Sequence, residues 1–214
     1  MKTQKKPAPS NERLAEIYRT AAQIILRKGY DATSINDIAN AVGMTKPGLY
    51  HYINGKKELL FVIMNFGLDE LDEEVATPAA AIPDSVERLH FIIRSHAQLV
   101  TRGQGAITIL VDEITALTPA QNRIITRRKR EYFIRLRELM NLLKSEGKLQ
   151  DVDSTAATFS LLGMISWLSR WFRQNGPLTE EQVAEQISKI ALNGLLRPEA
   201  SPKKPALRVV KKNK

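Results

Sequence analysis

Apolar residues recur at helical spacing along most of the chain. Between Arg13 and Lys28, the residues Leu14, Ile17, Tyr18, Ala21, Ala22, Ile24 and Ile25 fall on one face of a 3.6-residue period, which predicts an amphipathic helix. Gly29 follows in the C-cap position and closes it. A short second helix is predicted after Ser34, a good N-cap, with Asp37 three residues on as an acidic capping-box partner and Ile35, Ile38, Ala39 and Val42 on its inner face. Gly43 closes that turn. Thr45 can cap a third helix. Pro47 then lies in its first turn, where a missing N–H costs nothing and a fixed φ helps. Leu49, Tyr52 and Ile53 can face inward, and Asn54-Gly55 is a turn signal. A fourth helix is predicted from about Lys56 to Val75, with Leu59, Leu60, Ile63, Phe66, Leu68 and Leu71 apolar and the acidic run DELDEE at its end. Pro78 and Pro83 then mark a linker.

The second half is helical by the same test, with segments near 84–102, 105–116, 119–146, 153–174 and 179–195 separated by Gly, Pro, Asn and Asp breaks. In the longest, Ile125, Tyr132, Leu136, Leu139 and Leu143 keep one face apolar. Strand-type alternation is nowhere sustained, so the fold class is all-α. The stretch TAATFSLLGMISWLSRWF is more apolar than one exposed helix of a lone protomer should be, which predicts burial against another helix pair and a symmetric homodimer. The other way to satisfy it is as the centre of one protomer's own core.

Charge refines this picture. The net charge is +9, but it is unevenly placed. Residues 1–60 carry 10 Lys/Arg against 5 Asp/Glu, residues 61–197 carry 16 against 17, and residues 198–214 carry 6 against 1. A basic N-terminal module on a neutral body suggests a polyanion partner such as nucleic acid. Residues 1–9 read as a disordered basic arm and 198–214 as a basic disordered tail. The absence of Cys excludes disulfides, thiolate zinc sites and cysteine nucleophiles, and fits a cytoplasmic protein. The basic, Pro-rich start does not read as a signal peptide, and no window reaches the ~18 apolar residues of a membrane span.

A short helix, a Gly-containing turn and another short helix form the helix-turn-helix pattern, here SINDIANAVGMTKPGLYHYI. In that motif the first helix braces the second, and the second presents its N-terminal residues to base edges in the major groove. On these residues the chain resembles the TetR/AcrR family of one-component transcriptional regulators. The resemblance is carried by Arg13–Leu14 through Gly29-Tyr30, by Ser34-Ile35-Asn36-Asp37-Ile38-Ala39, by Val42-Gly43-Met44-Thr45, and by Leu49-Tyr50-His51-Tyr52-Ile53 followed by Lys56 and Leu59-Leu60. It implies a DNA-binding domain at 10–55, a connecting helix at 56–76 and an effector-binding and dimerisation domain at 77–197. Ile53 stands where the family often has Phe, and Gly55 where it often has Ser; both keep the local job. Gly48 stands where Thr or Ala is common, so base reading there passes to its neighbours.

The resemblance and the chemistry together assign site residues. Lys46 has a long donor suited to guanine O6/N7 or a phosphate. Tyr50 and His51 point outward if Leu49 and Ile53 point inward, Tyr50 towards a phosphate or a thymine methyl and His51 towards a phosphate or a base edge. Tyr52 is a phosphate contact at the rim. Lys56 adds its charge to the start of the fourth helix in holding a phosphate. Ser34 and Asn36 open the second helix and touch the backbone, Asn36 also reaching towards a base; the alternatives are Ser34 as a cap alone, Tyr50 or Tyr52 as a core ring with a wet hydroxyl, and His51 on a solvated face. Thr45, Pro47 and Gly48 complete the entry turn. The partner is double-stranded DNA with a pseudo-palindromic operator, and the implied function is a homodimeric repressor released by a small-molecule effector.

Other constellations carry less. His90 and His96 do not share a helix face as i,i+4 ligands would; Asp112-Glu113 could join His96 at a metal only through the tertiary fold, and neither a metal nor a cofactor is expected. The absence of a Gly-rich phosphate loop or a nucleophile elbow argues against an enzyme. The basic run Arg123–Glu138 reads as a solvated face, a second DNA-contacting surface, or a clamp for an anionic ligand. Trp167 and Trp171 at i,i+4, with Arg170 and Arg173 adjacent, suit an apolar ligand with an anionic head, or else core or dimer-interface packing. The segment 167–177 also resembles regulators of lipid, sterol and aromatic-acid catabolism that respond to acyl-CoA thioesters. The competing functions are an effector-independent DNA-binding activator, and a helical apolar-acid carrier or enzyme that does not use DNA.

Overall fold

The computed structural model describes residues 11–102, 105–110 and 116–198, and among them the structure is helical, with a single isolated antiparallel bridge between Leu149 and Leu196. The basic arm (1–9) of the sequence reading lies outside these residues, as does the tail apart from Pro198. No helix among them is long and apolar enough to cross a membrane.

The first three helices form as their caps direct. Helix α1 (Asn11–Lys28) ends at Gly29, whose φ of 86° is the left-handed conformation that glycine adopts without a Cβ penalty. Helix α2 (Ile35–Ala41) opens with a complete capping box: the Ser34 hydroxyl accepts from the Asp37 N–H while the Asp37 carboxylate accepts from the Ser34 N–H. Helix α3 (Lys46–Leu49) is capped by Thr45, whose hydroxyl accepts from the Gly48 N–H, with Pro47 in the first turn. Its helical hydrogen bonding runs on past Leu49 through Tyr50 N–H to Lys46 O, Tyr52 N–H to Leu49 O and Ile53 N–H to Leu49 O. Ile17, Ile38, Leu49, Leu59 and Leu60 are fully buried between these elements and the start of helix α4 (Lys56–Leu71). Each such side chain stabilises the module by about 1.5–3 kcal/mol relative to exposure.

The predicted linker at Pro78 is not where the helix stops. Beyond Leu71 the chain makes a π-helical turn (Asp72–Ala76), in which the Thr77 N–H bonds back five residues to the Asp72 carbonyl, and helix α5 (Thr77–Ala80) continues it. The wide turn absorbs the proline, whose missing N–H and bulky ring would otherwise interrupt an α-helical ladder. Helix α6 (Ser85–Thr101), capped by Asp84, returns along it.

Helix α7 (Ala106–Ile109) is the described part of the segment predicted over 105–116, since 111–115, including Asp112 and Glu113, lie outside the described residues. It is wedged between α1 and α4 at very close range. A Cβ built on Gly67 would lie 2.7 Å from the Ala106 carbonyl carbon, and one on Gly105 would lie 2.9 Å from the Gln23 nitrogen. Glycine at both positions is what lets three backbones meet.

Helix α8 (Pro119–Ser145) runs parallel to α4 in a fixed register. Gln121 donates to Glu58, Arg128 to Asn65, and Arg135 to Asp72, three bonds between residues 63 apart. Arg128 also pairs with Asp69 and with Asp72. The acidic end of the fourth helix is therefore the counter-charge for part of the basic run on α8. The helix predicted over 153–174 divides at Trp167 into α9 (Ser154–Ser166) and α10 (Leu168–Trp171), and α11 (Glu180–Leu195) packs back against α6 and α9.

Candidate nucleic-acid interface

The α2–α3 pair presents most of the predicted DNA-binding residues on its surface. Leu49 is buried and Ile53 nearly so, and this fixes the inner side of α3. Lys46, Pro47, Tyr50 and His51 are exposed, Tyr50 at 46%. Gly48 is half-buried, and a Cβ there would stand 3.1 Å from the Thr45 hydroxyl oxygen that caps the helix. Tyr52 is half-buried and packs against the core, so its ring serves the fold.

Thr45, Ser34 and Asn36 are exposed, but they differ in what they can offer. The Ser34 hydroxyl donates to the Asp37 carboxylate at 2.7 Å and accepts the Asp37 N–H at 3.1 Å. Its proton is committed to the capping box, so Ser34 positions α2, whereas the side chain of Asn36 is exposed. Asp37 also holds the Lys28 ammonium at 2.8 Å. These bonds, led by that of Lys28, keep its carboxyl well below the ordinary carboxylate range.

Lys56 opens α4 and is already seated. Its Nζ donates to the Asp31 carbonyl at 3.0 Å and lies 4.3 Å from the centre of the Tyr30 ring. An ammonium has three donors, so this contact orients the charge and leaves capacity for a phosphate oxygen. Two further cations border this surface that were not among the predicted site residues. Arg13 donates to the Val42 carbonyl at 2.7 Å and so ties α1 to the end of α2. Lys57 stands exposed beside Lys56. Neither belongs to the apolar period that identified the elements.

Cavities lie in the second half. One of about 310 Å³ opens between α5, α6 and α8, with Ala79, Ile92, Leu136 and Leu139 as apolar wall and Arg88 and Arg135 in its lining. Tyr132 borders it; behind Tyr132 the hydroxyl shares a hydrogen bond of 3.1 Å with Nδ1 of the buried His96. Burial pulls His96 down to about 4, which keeps its ring neutral, and pushes the Tyr132 phenol up. A second cavity, of about 220 Å³, lies where Leu26, Gly105, Phe172 and Arg173 meet.

The expected effector residues Trp167, Arg170, Trp171 and Arg173 are all exposed in one protomer. Trp167 is 65% exposed and Trp171 is also exposed, whereas Arg173 lines the smaller cavity and donates to the Arg170 and Phe172 carbonyls. Phe159 at 62% and Ile190 at 58% add to an uncovered apolar face on α9 and α11. Among the described residues no three His, Asp or Glu groups cluster in a way that would hold a metal ion.

Known proteins agree with this architecture. Residues 17–63 match the family model described as bacterial regulatory proteins, tetR family, and residues 83–195 match the tetracyclin repressor-like C-terminal domain. The crystal structure of AibR in complex with isovaleryl coenzyme A and operator DNA is 40% identical, covers 83% of this chain and 97% of that one, and superposes with a TM-score of 0.75. The HTH-type transcriptional repressor KstR2 of Mycobacterium tuberculosis is 26% identical over 190 residues, 87% of this chain and 94% of its own. The structure of KstR2 from that organism shares the fold, with a TM-score of 0.80 at 24% identity over 89% of this chain and 98% of that one. With both halves matched and a three-helix DNA-binding head joined to a helical body, the chain belongs to the TetR family of transcriptional regulators and is not an enzyme.

Proposed function

We propose that this regulator is a homodimeric repressor, acting in the cytoplasm, that holds a pseudo-palindromic operator until an apolar anionic effector releases it. The observation that carries the reading is the exposed polar set on a rigidly braced α3: Lys46, Tyr50 and His51 outward, Leu49 and Ile53 buried beneath, and Lys56 fixed at the start of α4. Residues 10–55 bind DNA, 56–76 connect, and 77–197 dimerise and take the effector. In this reading Lys46, Tyr50 and His51 face bases. Asn36, Tyr52 and Lys56 hold phosphates, and Ser34, Thr45, Pro47 and Gly48 set the angle at which α3 enters the groove.

The uncovered face of Phe159, Trp167 and Ile190 supports dimerisation through α9 and α11, and in this reading Trp167 and Trp171 lie at the protomer–protomer surface. An acyl-CoA thioester is the favoured effector, supported by the likeness to AibR and by the apolar cavity with Arg88 and Arg135 in its lining. A cavity of about 310 Å³ suits the acyl group, with the nucleotide lying outside on the exposed cations. Release requires the effector to prefer a spacing of the two recognition helices other than about 34 Å or its multiple.

The test is selection of duplexes from a random library by the purified protein, followed by titration with isovaleryl-CoA and longer acyl-CoA thioesters. A pseudo-palindromic site should emerge. Tyr50→Ala combined with Lys56→Ala should abolish binding while leaving the dimer intact, and a thioester should displace the wild type. Selection of no duplex at all, or full affinity in the double variant, would sink the site assignment; displacement by no thioester would remove the proposed effector.

A further inference from the structure

We infer that helix α8 carries a second electrostatic contact to duplex DNA, made by Arg123, Arg127 and Arg130 beside the helix-turn-helix. The inference rests on the DNA-binding reading and extends its footprint. These three arginines sit at i, i+4 and i+7 and therefore share one face of α8. That face is turned away from the side on which Ile125, Tyr132, Leu136 and Leu139 are buried, and all three arginines are exposed.

The helix sorts its cations. Arg128 and Arg135 turn towards α4 and are neutralised by Asp69 and Asp72. Among the described residues Arg127 pairs only with the exposed Glu131 of its own helix, at 3.8 Å. Arg123 and Arg130 have no ion pair among the described residues. A stripe intended only for solubility has no need to be separated in this way from carboxylates one face away.

The register with α4 says where the stripe lies. Gln121 bonds Glu58, two residues beyond Lys56, so α8 begins at the same end of the molecule as the proposed phosphate anchor. At a rise of about 1.5 Å per residue, Arg123 stands only about 6 Å further along than the start of α4, and Arg130 about 16 Å. An arginine side chain spans an axial offset of the first size. Arg127, about 12 Å along, lies near one Debye length of about 10 Å at 0.1 M salt, and Arg130 lies beyond it and is largely screened. The partner is therefore the sugar–phosphate backbone flanking the operator, met without sequence preference. The effect is graded, with Arg123 strongest and Arg130 weakest.

The test uses the full chain and a duplex selected by the wild type, prepared in a short form ending at the selected site and in a form extended by random sequence on both sides. Affinity is measured by fluorescence anisotropy from 50 to 300 mM KCl. The wild type should bind the extended form more tightly and with a steeper salt dependence. Arg123→Gln/Arg127→Gln/Arg130→Gln should lose that preference, and its log–log salt slope should flatten by about 2–4, as expected for one or two lost phosphate contacts on each protomer of the dimer. On the short form it should bind like the wild type. Arg123→Gln alone should reproduce most of the change. An unchanged slope and an unchanged length preference in the triple variant would overturn the inference while leaving operator binding by α3 intact. A wild type that binds neither form would overturn both.

Discussion

Gly67 of α4 and Ala106 of α7 meet backbone against backbone. The place where a Gly67 side chain would begin is 2.7 Å from the Ala106 carbonyl carbon and 2.8 Å from its oxygen. The obstructing atoms are main chain, so they cannot swing aside as the tip of a flexible side chain could. Gly67→Ala must push α7 away from α4 and, through Gly105, away from α1. The variant should lose about 1–3 kcal/mol despite its better helix propensity. Urea unfolding would show it, and an unchanged midpoint would mean that α7 yields more easily than its packing implies.

A buried ion pair joins the head to the body's leading helix. Both Nε and NH2 of Arg19 on α1 donate to one oxygen of Glu70 on α4, and Glu70 is buried while the Arg19 guanidinium packs over Phe66. Burial raises the Glu70 carboxyl and Arg19 opposes that rise. Arg19→Ala leaves the carboxyl desolvated and alone, and should cost about 1–3 kcal/mol, discounted because the arginine is partly exposed. Adding Glu70→Gln should recover part of the loss. A double variant less stable than the wild type by the sum of both single losses would show that the two residues do not act as a pair.

His96 gives stability a pH dependence of definite sign. Its folded-state value is pulled down to about 4 by burial, whereas an unfolded histidine titrates near 6.5. The unfolded chain therefore takes up a proton first as pH falls. The contribution is fully present above about pH 7 and is lost as pH falls from 6.5 towards 4. His96→Gln keeps a partner for the Tyr132 hydroxyl and cannot titrate in this range. Between pH 7.5 and 5.0 the wild type should lose about 2 kcal/mol more than the variant in urea unfolding. Parallel loss in both proteins would assign the acid sensitivity elsewhere.

Phe159 and Ile190 supply a cheap probe of assembly, because both are already largely exposed in one protomer. Phe159→Asp combined with Ile190→Asp should leave helicity and the melting of a dilute protomer nearly unchanged, while light scattering should report the protomer mass in place of twice that mass. A variant that remains dimeric would place the contact on another face.

The local chemistry of the head was legible in the sequence. Ser34 with Asp37, Thr45 with Pro47, and the positive-φ glycines at 29 and 43 are short-range signals, and α1 to α3 form where those residues place them. Leu49 and Ile53 were correctly inward. What escaped depends on distant neighbours. Pro78 looked like a stop until the π-helical turn before it accommodated the ring. The seat of Lys56 on Tyr30 and Asp31 joins residues 25 or more apart, which no periodicity encodes. The spacing of Trp167 and Trp171 shows that two indoles share a side, but not whether that side meets a ligand, the core or a second protomer.

The bonds Glu58–Gln121, Asn65–Arg128 and Asp72–Arg135 recur every seven residues along two parallel rods. Such a rack has no intermediate setting. To slide one rod along the other by less than a full repeat is to break all the teeth together, while tilting the joined pair breaks none. Whatever force arrives at the far end of α8 is thus delivered to Lys56 as a change of angle with almost no change of length, as a lever delivers it and a piston does not.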